Sequence, residues 1–187
     1  MEIHLDNASR AFPAPGTTLY DLINNPEFKK KFYSRLKPTN RLMVPLYKLG
    51  VLPLFGMGKR IMLLTTIGRK SDTLRDFPVG YFRIDDVIYV FSAWGREANW
   101  YKNLIANPDQ VFVQIGFRRI RVHPQVVEDP EELKQIIRRF VLQDPAGAQM
   151  LMGWDPERDG LATADFSIMI AQVLTVRFNE GSGEALR

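Results

Sequence analysis

The stretch that decides the fold is Ile61-Met62-Leu63-Leu64-Thr65-Thr66-Ile67-Gly68-Arg69-Lys70-Ser71-Asp72-Thr73-Leu74-Arg75-Asp76-Phe77-Pro78. It begins with an apolar and β-branched run closed by a glycine, which is typical of a buried strand. A loop with three cations follows, and then a second strand begins. Because Arg and Lys side chains match the oxygens of phosphates and carboxylates, this loop predicts an anion site. On charge alone, a solvated basic turn fits equally well.

Length and composition predict one globular domain over residues 1–187. The chain is long enough to bury a core, and its hydrophobic share of 45% is ordinary for a soluble protein. The net charge of +4 favours anionic ligands but is too small to indicate nucleic acid. With no cysteine, the chain has no disulfide, thiolate nucleophile or cysteine-ligated metal. The polar N-terminus and the lack of a long apolar run predict a cytoplasmic protein without a signal peptide or transmembrane helix.

The N-terminal third predicts an extended arm over residues 1–17 and an amphipathic segment over 18–58. Thr18–Leu36 has helical spacing of apolar residues, with Pro26 as a potential break, and an apolar stretch follows over Leu42–Phe55. The other side of the helix is strongly basic. Two interpretations remain open: plain core packing with a solvated basic face, or a lid over a pocket or a peripheral contact with the inner membrane face.

From Arg60 onward the pattern is that of β-structure. Strands are predicted at Ile61–Ile67, Phe77–Ile84, Val87–Ala93, Gln110–Ile115, Phe117–Val127 and Val173–Phe178. Asp85-Asp86 predicts a two-residue hairpin turn. Helices are predicted at Asn99–Ala106, from Pro130 to about Leu142, and near Asp165–Ala171, before a frayed tail at 179–187. Six strands joined mostly by short turns predict a closed or nearly closed antiparallel β-barrel with helices, an α+β fold, over residues 60–178.

The usual catalytic and metal motifs are missing. His4 and His123 are the only histidines, and the acidic cluster near Asp155 lacks the spacing of a calcium loop, so no metal site is expected. The sequence has no nucleophile elbow, Walker loop or dinucleotide fingerprint. Such a chain suits a bound organic cofactor that carries the chemistry itself.

A second cluster could hold the flat ring of such a cofactor. Ser92-Ala93-Trp94-Gly95 ends a predicted strand, and Gly95 allows a close approach of the backbone. Trp100 and Asn103 lie three residues apart, on one face of the next helix. Taken alone, Trp100 is better explained as a core aromatic.

Together these motifs resemble the deazaflavin-dependent nitroreductase family, which uses coenzyme F(420). The resemblance extends over about Asn40 to Glu132 and includes Leu63–Ser71, Arg75, Pro78, Ser92–Gly95 and Trp100–Pro108. It implies a six-stranded split β-barrel of the FMN-binding type. It also implies hydride transfer from the reduced deazaflavin to a hydrophobic acceptor such as a quinone, an enone or lipid-like molecule, or a nitro compound.

The resemblance also implies roles for individual residues. The anionic arm of the cofactor would lie against Gly68, Arg69, Lys70, Ser71 and Arg75, and its ring against Pro78, Val79 and Gly80. Ser92, Ala93, Trp94 and Gly95 would line the phosphate and ring region, with Trp100 and Asn103 as buttresses. A lysine of the family loop is either replaced by Arg96 or missing. As proton donors, Tyr81 and Tyr101 are candidates by residue type only. Asp72 departs from the family pattern, which has glycine there, and Gly80 replaces a larger pocket residue of some members.

Three alternatives remain open. The same barrel could use FMN, although three close cations favour the acidic tail of a deazaflavin. It could also be a carrier that binds a flavin or tetrapyrrole without turnover. A nucleic-acid binder has only the mild net charge in its favour. Either a monomer or a homodimer is compatible with the sequence.

Overall fold

The computed structural model describes residues 9–180. The predicted arm and tail therefore lie partly, and His4 wholly, outside the described residues. Within them the strands are β1 (Arg10–Ala11), β2 (Ile61–Ile67), β3 (Leu74–Gly80), β4 (Phe82–Ile84), β5 (Val87–Ser92), β6 (Phe112–Ile115), β7 (Arg118–Val127), β8 (Ala164–Asp165) and β9 (Leu174–Glu180). The α-helices are α1 (Thr18–Asn24), α2 (Pro26–Lys48), α3 (Val51–Leu54), α4 (Asn99–Ala106), α5 (Pro130–Gln143), α6 (Pro145–Met152) and α7 (Ser167–Gln172), with short 3-10 turns at Met57–Lys59 and Gly95–Glu97.

The main sheet is antiparallel and curls into a split barrel. Its order is β3-β2-β6-β7-β9-β5-β4, and β1 and β8 form a separate parallel pair. The two edge strands, β3 and β4, are separated in the chain by Tyr81 alone, so the edges of the sheet meet at that residue. This is the predicted β-barrel with helices.

The sheet has seven strands rather than six because the strand predicted at Phe77–Ile84 is divided. The β3 half pairs with β2, and the β4 half pairs with β5. Tyr81 fixes the bend between them, since its backbone N–H donates to Arg60 O at 3.0 Å and its hydroxyl donates to Gly58 O at 2.7 Å. Period-two alternation continues across this bend and gives no sign of it.

Three clusters of buried apolar side chains result from this arrangement, and the third, around Ile84, Tyr89 and Leu133, joins the sheet to α5. Inside the barrel, Met62 and Leu64 of β2 are fully buried against Val113, Val122 and Phe178. The second core lies among the helices and includes Phe12, Leu19, Ile137, Met152 and Met169. Burying each such side chain stabilises the fold by roughly 1.5–3 kcal/mol.

The N-terminal helical segment is longer than its sequence predicts. The predicted break at Pro26 is confirmed, because α1 ends at Asn24 and the Asn25 side chain caps α2 by accepting from Phe28 N at 3.0 Å. The helix then passes the predicted end at Leu36 and continues to Lys48 through two prolines, Pro38 and Pro45. Both prolines are exposed, so water can reach the carbonyls that they leave without a helix partner.

Other predicted elements agree closely with the structure. The bounds of β2 and α4 match their predictions at both ends. Asp85 and Asp86 both have positive φ, 48° and 66°, as the predicted two-residue turn requires. No helix in residues 9–180 combines the length and the apolar character needed to cross a membrane.

Candidate active site

A cleft of about 930 Å³ lies between α2 and one end of the barrel. One wall is β3 from Arg75 to Gly80, and the other is β5 with the residues that follow it to Trp94. The start of α4, including Trp100, contributes to the lining. This volume falls in the range of about 300–1,000 Å³ that is usual for sites of small organic ligands.

About half of the sequence-predicted cofactor residues line this cleft. They come from the two strand walls and from α4: Arg75, Pro78, Val79, Gly80, Ser92, Ala93, Trp94 and Trp100. β3 and β5 are not paired in the sheet, but the curl of the sheet brings them into contact at the cleft. Most of this lining is apolar, and the polar groups are few.

Ser92 is the most unusual polar group of the cleft. Its side chain is buried, with 4% of the residue exposed, and its Oγ has no hydrogen-bond partner among the described residues. An unpaired buried hydroxyl costs on the order of 1–3 kcal/mol. A hydroxyl kept in this state at the wall of a cleft is well suited to bond a polar group of a bound ligand.

The basic turn lies beside the cleft rather than in it. Gly68, Arg69, Lys70 and Ser71 do not line the cleft. Arg75 belongs to both places: it lines the cleft, and its Nη2 donates to Ser71 Oγ at 3.2 Å. The cations of the turn are therefore connected to the cleft through one side chain.

Asn103 holds this turn in place from α4. Its Oδ1 accepts from the Arg69 backbone N–H at 3.3 Å and from Arg69 Nη1 at 3.2 Å, and its Nδ2 donates to Thr66 Oγ1 at 3.4 Å. Asn103 is 5% exposed, so these bonds are made out of water. Its position matches the predicted buttress, but what it supports is the basic turn and not the ring region.

The backbone of the basic turn explains why Asp72 can stand at its position. Its φ is +49°, in the left-handed region that glycine occupies without strain. Asp is among the few other residues that tolerate this region. The turn closes through Asp72 N donating to Gly68 O at 2.9 Å. Asp72 is therefore explained by the positive φ that the turn needs at this position, and its exposed carboxylate is not needed to explain it.

Gly95 and Arg96 lie outside the cleft lining. Arg96 forms an ion pair with Glu128 and donates to the hydroxyl of Tyr101 at 3.1 Å. Ion pairing with Glu128 raises the pKa of Arg96 further. The Arg96 guanidinium is therefore held by Glu128 and Tyr101, neither of which lines the cleft.

The two tyrosines named as proton donors also lie outside the lining of the cleft. The hydroxyl of Tyr81 donates to Gly58 O, and burial raises the pKa of Tyr81. The hydroxyl of Tyr101 accepts from Arg96. Among the residues that line the cleft, the side chains with a hydroxyl are Tyr33 and Ser92.

For the roof of the cleft, the sequence left a lid among the open interpretations of residues 18–58 but named none of the lining residues. Tyr33, Leu36, Asn40 and Arg41 of α2 line it, at the helical spacing of one face. The predicted end of the helix at Leu36 concealed this face. The many Lys and Arg residues of this segment favoured a solvent-exposed face. The spacing of its apolar residues was the signal that one face lines a cleft or core.

Both ends of α2 are fixed to the barrel. Near the start, Lys29 Nζ donates to Ala93 O at 3.1 Å, and the Phe32 ring packs against Trp94 with centroids 6.0 Å apart. Near the end, the fully buried Tyr47 hydroxyl donates to Ile61 O at 2.9 Å and accepts from Gly116 N at 3.2 Å. Burial raises the pKa of Tyr47. The middle of α2 thus spans the cleft between two fixed points.

Acidic groups at the cleft are held by basic partners. Asp76 accepts from Thr65 Oγ1 at 2.7 Å and forms an ion pair with Lys48, at the last turn of α2. Glu97 pairs with Lys102, which lowers the pKa of Glu97. Arg41 and Arg75 are lining cations with no carboxylate within 4 Å in residues 9–180. The cleft therefore keeps a positive bias toward an anionic ligand.

Several solved structures are similar to the chain at low sequence identity. An F420-H2 dependent reductase is 22% identical, with a TM-score of 0.43 over 64% of this chain and 93% of its own. General Stress Protein 26 from Bacillus anthracis str. Sterne is 18% identical, with a TM-score of 0.41 over 66% of this chain and 81% of its own. ChuZ from Campylobacter jejuni is 15% identical, with a TM-score of 0.46 over 69% of this chain and 51% of its own. No curated protein matches the chain.

The curled antiparallel barrel, its lined cleft and the adjacent basic turn give the chain a site suited to an anionic organic ligand. The model of one protein family, F420H(2)-dependent quinone reductase, matches residues 50–155, more than half of the chain. The chain belongs to this family. It is an oxidoreductase, and its cofactor is coenzyme F(420).

The residues of the cleft fit this cofactor. The unpaired Ser92 hydroxyl can bond a polar edge of the deazaflavin ring, and the apolar residues of β3 can cover a ring face. Arg75 leads from the cleft to the exposed cations of the turn, whose charge suits an acidic tail. The matched span includes both strand walls and α4, but it excludes α2.

Proposed function

We propose that the protein reduces flat hydrophobic acceptors, with quinones as the main class, in the space between the strand walls and α2. The observation that carries this proposal is the composition of the cleft. Leu19, Leu22, Leu36 and Trp94 give the α1 and α2 side of the cleft a large apolar surface, which Asn40 and Arg41 border, while Arg75, Asp76 and Ser92 are the polar groups of the strand walls. The polar part suits the cofactor, and the apolar part suits an acceptor with little charge.

The binding residues divide into two groups in this proposal. Arg69, Lys70, Ser71 and Arg75 hold the phosphate and acidic tail, and Asn103 positions Arg69. Pro78, Val79 and Gly80 cover one ring face, with Ser92, Ala93 and Trp94 opposite and Trp100 beside them. Gly68 closes the turn because a Cβ there would lie 2.6 Å from Ser71 Oγ. Gly95 and Arg96 are proposed to act indirectly, as residues of the 3-10 turn that follows Trp94.

Catalysis depends on placement more than on acid–base groups. When bound, the reduced deazaflavin supplies the hydride. The walls of the cleft must then hold the acceptor within about 3–3.5 Å of the donor atom, which accounts for a large part of the rate in such reactions. The roof residues exclude water from the cleft, which prevents loss of the hydride to side reactions. Tyr33 is a hydroxyl on the roof from which a proton could reach a reduced acceptor.

Turnover with a panel of acceptors tests the proposal. Consumption of reduced F(420) is followed by its absorbance under anaerobic conditions with menadione, a hydrophobic enone and a nitroaromatic compound. We expect menadione to be reduced fastest and the nitro compound slowly. Binding of F(420) without turnover of any acceptor would instead identify a carrier, and tight co-purification of FMN would favour the alternative cofactor.

Alanine at Arg69 or Arg75 tests the anion site. Each charge-assisted bond is worth about 1.5–3 kcal/mol, so each substitution should weaken F(420) binding by about tenfold or more. Fluorescence titration with F(420) gives the affinity. The matched control is Arg83→Ala, an exposed arginine on β4 away from the turn. Equal affinity in Arg75→Ala and Arg83→Ala would contradict the assignment of the anionic arm to this turn.

A further inference from the structure

The end of α2, the segment after it and the tip of the β6–β7 hairpin form an exposed apolar surface. We call it the apolar platform. Four of its side chains, Leu49, Leu54, Phe55 and Phe117, are 70–82% exposed. The others are Leu42, Val51 and Met57. These seven are most of the twelve large hydrophobic residues exposed within residues 9–180, so the apolar exposure of the protein is concentrated on this face.

The segment after α2 and the tip of the β6–β7 hairpin pack against each other. The Phe117 ring lies directly on Gly50, where an added Cβ would be 2.5 Å from a ring carbon. Gly58 likewise meets the backbone of Gly116, 3.1 Å from an added Cβ. Leu42 and Leu49 are two helical turns apart, so they point to the same side. The platform is therefore one surface built on fixed backbone.

The segment of the platform from Leu42 to Arg60 carries basic residues and no acidic residue of its own. Its basic residues are Lys48, Lys59 and Arg60. Lys48 and Arg60 form ion pairs with Asp76 and Asp144, from outside this stretch. Next to Phe117, Arg118 forms an ion pair with Glu180. Lys59, next to Met57, has no carboxylate within 4 Å in the part of the chain that the structure describes.

We propose that the apolar platform docks the protein on the surface of an anionic lipid bilayer. Large exposed apolar side chains with a basic rim are the combination that binds interfaces, through burial among lipid chains and attraction to anionic headgroups. Soluble proteins rarely leave such a patch uncovered. A second copy of the chain is a poorer occupant, because a two-fold interface would place the same basic rims against each other.

Vesicle co-flotation tests the proposal with the full chain. Vesicles of phosphatidylcholine mixed with phosphatidylglycerol are compared with vesicles of phosphatidylcholine alone. We expect the wild type to float with the anionic vesicles and only weakly with the neutral ones. The double variant L54S/F55S should lose about a hundredfold in partitioning, since it removes two large apolar side chains. Lys59→Gln should lose about fivefold, on anionic vesicles only.

The matched control is L142S/M150S, which removes two exposed apolar side chains from α5 and α6, away from the platform. It should float like the wild type, and thermal unfolding should show that all variants are folded. Failure of the wild type to float with anionic vesicles would overturn the proposal, as would equal losses in the control. A dimer by light scattering that L54S/F55S converts to a monomer, with flotation unchanged, would assign the platform to self-association instead.

Discussion

Ser92 shows how a single side chain can report a binding site. Its hydroxyl is buried in the wall of the cleft without a partner, which is a cost in the free protein. Its sequence position at the end of a strand predicted a role near the ring, but not the missing partner, since only the packing of neighbours reveals that. The same limit applies to Arg96 and the two tyrosines, whose hydrogen bonds to groups outside the cleft have no local sequence signal.

Substitution of Ser92 by Ala should separate stability from binding. Without ligand, Ser92→Ala should leave the free energy of unfolding unchanged or raise it by up to about 1 kcal/mol, because an unpaired buried hydroxyl is removed. The affinity for F(420) should fall. Urea unfolding and fluorescence titration give the two values. Thr66→Val is the contrasting variant: its hydroxyl accepts from Asn103, so it should lose stability. A loss of stability in Ser92→Ala would contradict the assignment.

Among the elements, prediction succeeded where the signal was local and failed where it depended on contacts far along the chain. The apolar run of β2, the capping signal at Asn25 and the turn at Asp85-Asp86 act through neighbouring residues, and each predicted element was found. The bend at Tyr81 and the passage of α2 through Pro38 are set by tertiary contacts. Most lining residues of the two strand walls could thus be predicted, whereas the roof was only one of two open interpretations of residues 18–58 and its residues were not named.

Tyr47 fixes the C-terminal end of α2, so Tyr47→Phe should loosen the roof. The variant removes one hydroxyl that serves both Ile61 O and Gly116 N, and leaves two backbone groups unpaired. We expect a loss of about 1–3 kcal/mol in the free energy of unfolding. Hydrogen exchange should show faster exchange in α2 than in β5. The control is Tyr20→Phe, at a half-buried tyrosine of α1. Unchanged protection of α2 would contradict the proposed anchor.

At the scale of the whole molecule, Asp159 joins the beginning of the described chain to its last third. Its carboxylate accepts from Arg10 Nη1 at 2.8 Å and from Asp155 N at 2.9 Å, beside Arg158. Burial of the carboxyl opposes ionisation, but the hydrogen bonds from Arg158, Asp155 and Arg10 outweigh it and lower the pKa of Asp159. This contact holds β1 beside β8 and closes the helical core around Phe12.

The pH dependence of stability follows from that direction. A carboxyl with a lowered pKa in the folded state stabilises the protein above its unfolded pKa of about 3.9, and this contribution is lost as the pH falls through the lower folded value. Asp159→Asn should therefore lower the free energy of unfolding by about 1–3 kcal/mol at pH 7, with a smaller difference below about pH 4. Urea unfolding across this range measures it. A difference that stays constant with pH would show that the charge of Asp159 has no part in the contact.

The two fixed ends of α2 have a consequence for how acceptor preference could diversify. Both strand walls of the cleft belong to the main sheet, and β5 is mostly buried there, where substitutions tend to cost stability. The roof residues Tyr33, Asn40 and Arg41 lie on the span between the anchors, and Tyr33 and Arg41 are also exposed. Substitutions there reshape the acceptor side without touching the cofactor side. Directed evolution of new acceptors would therefore begin most economically on this one helical face.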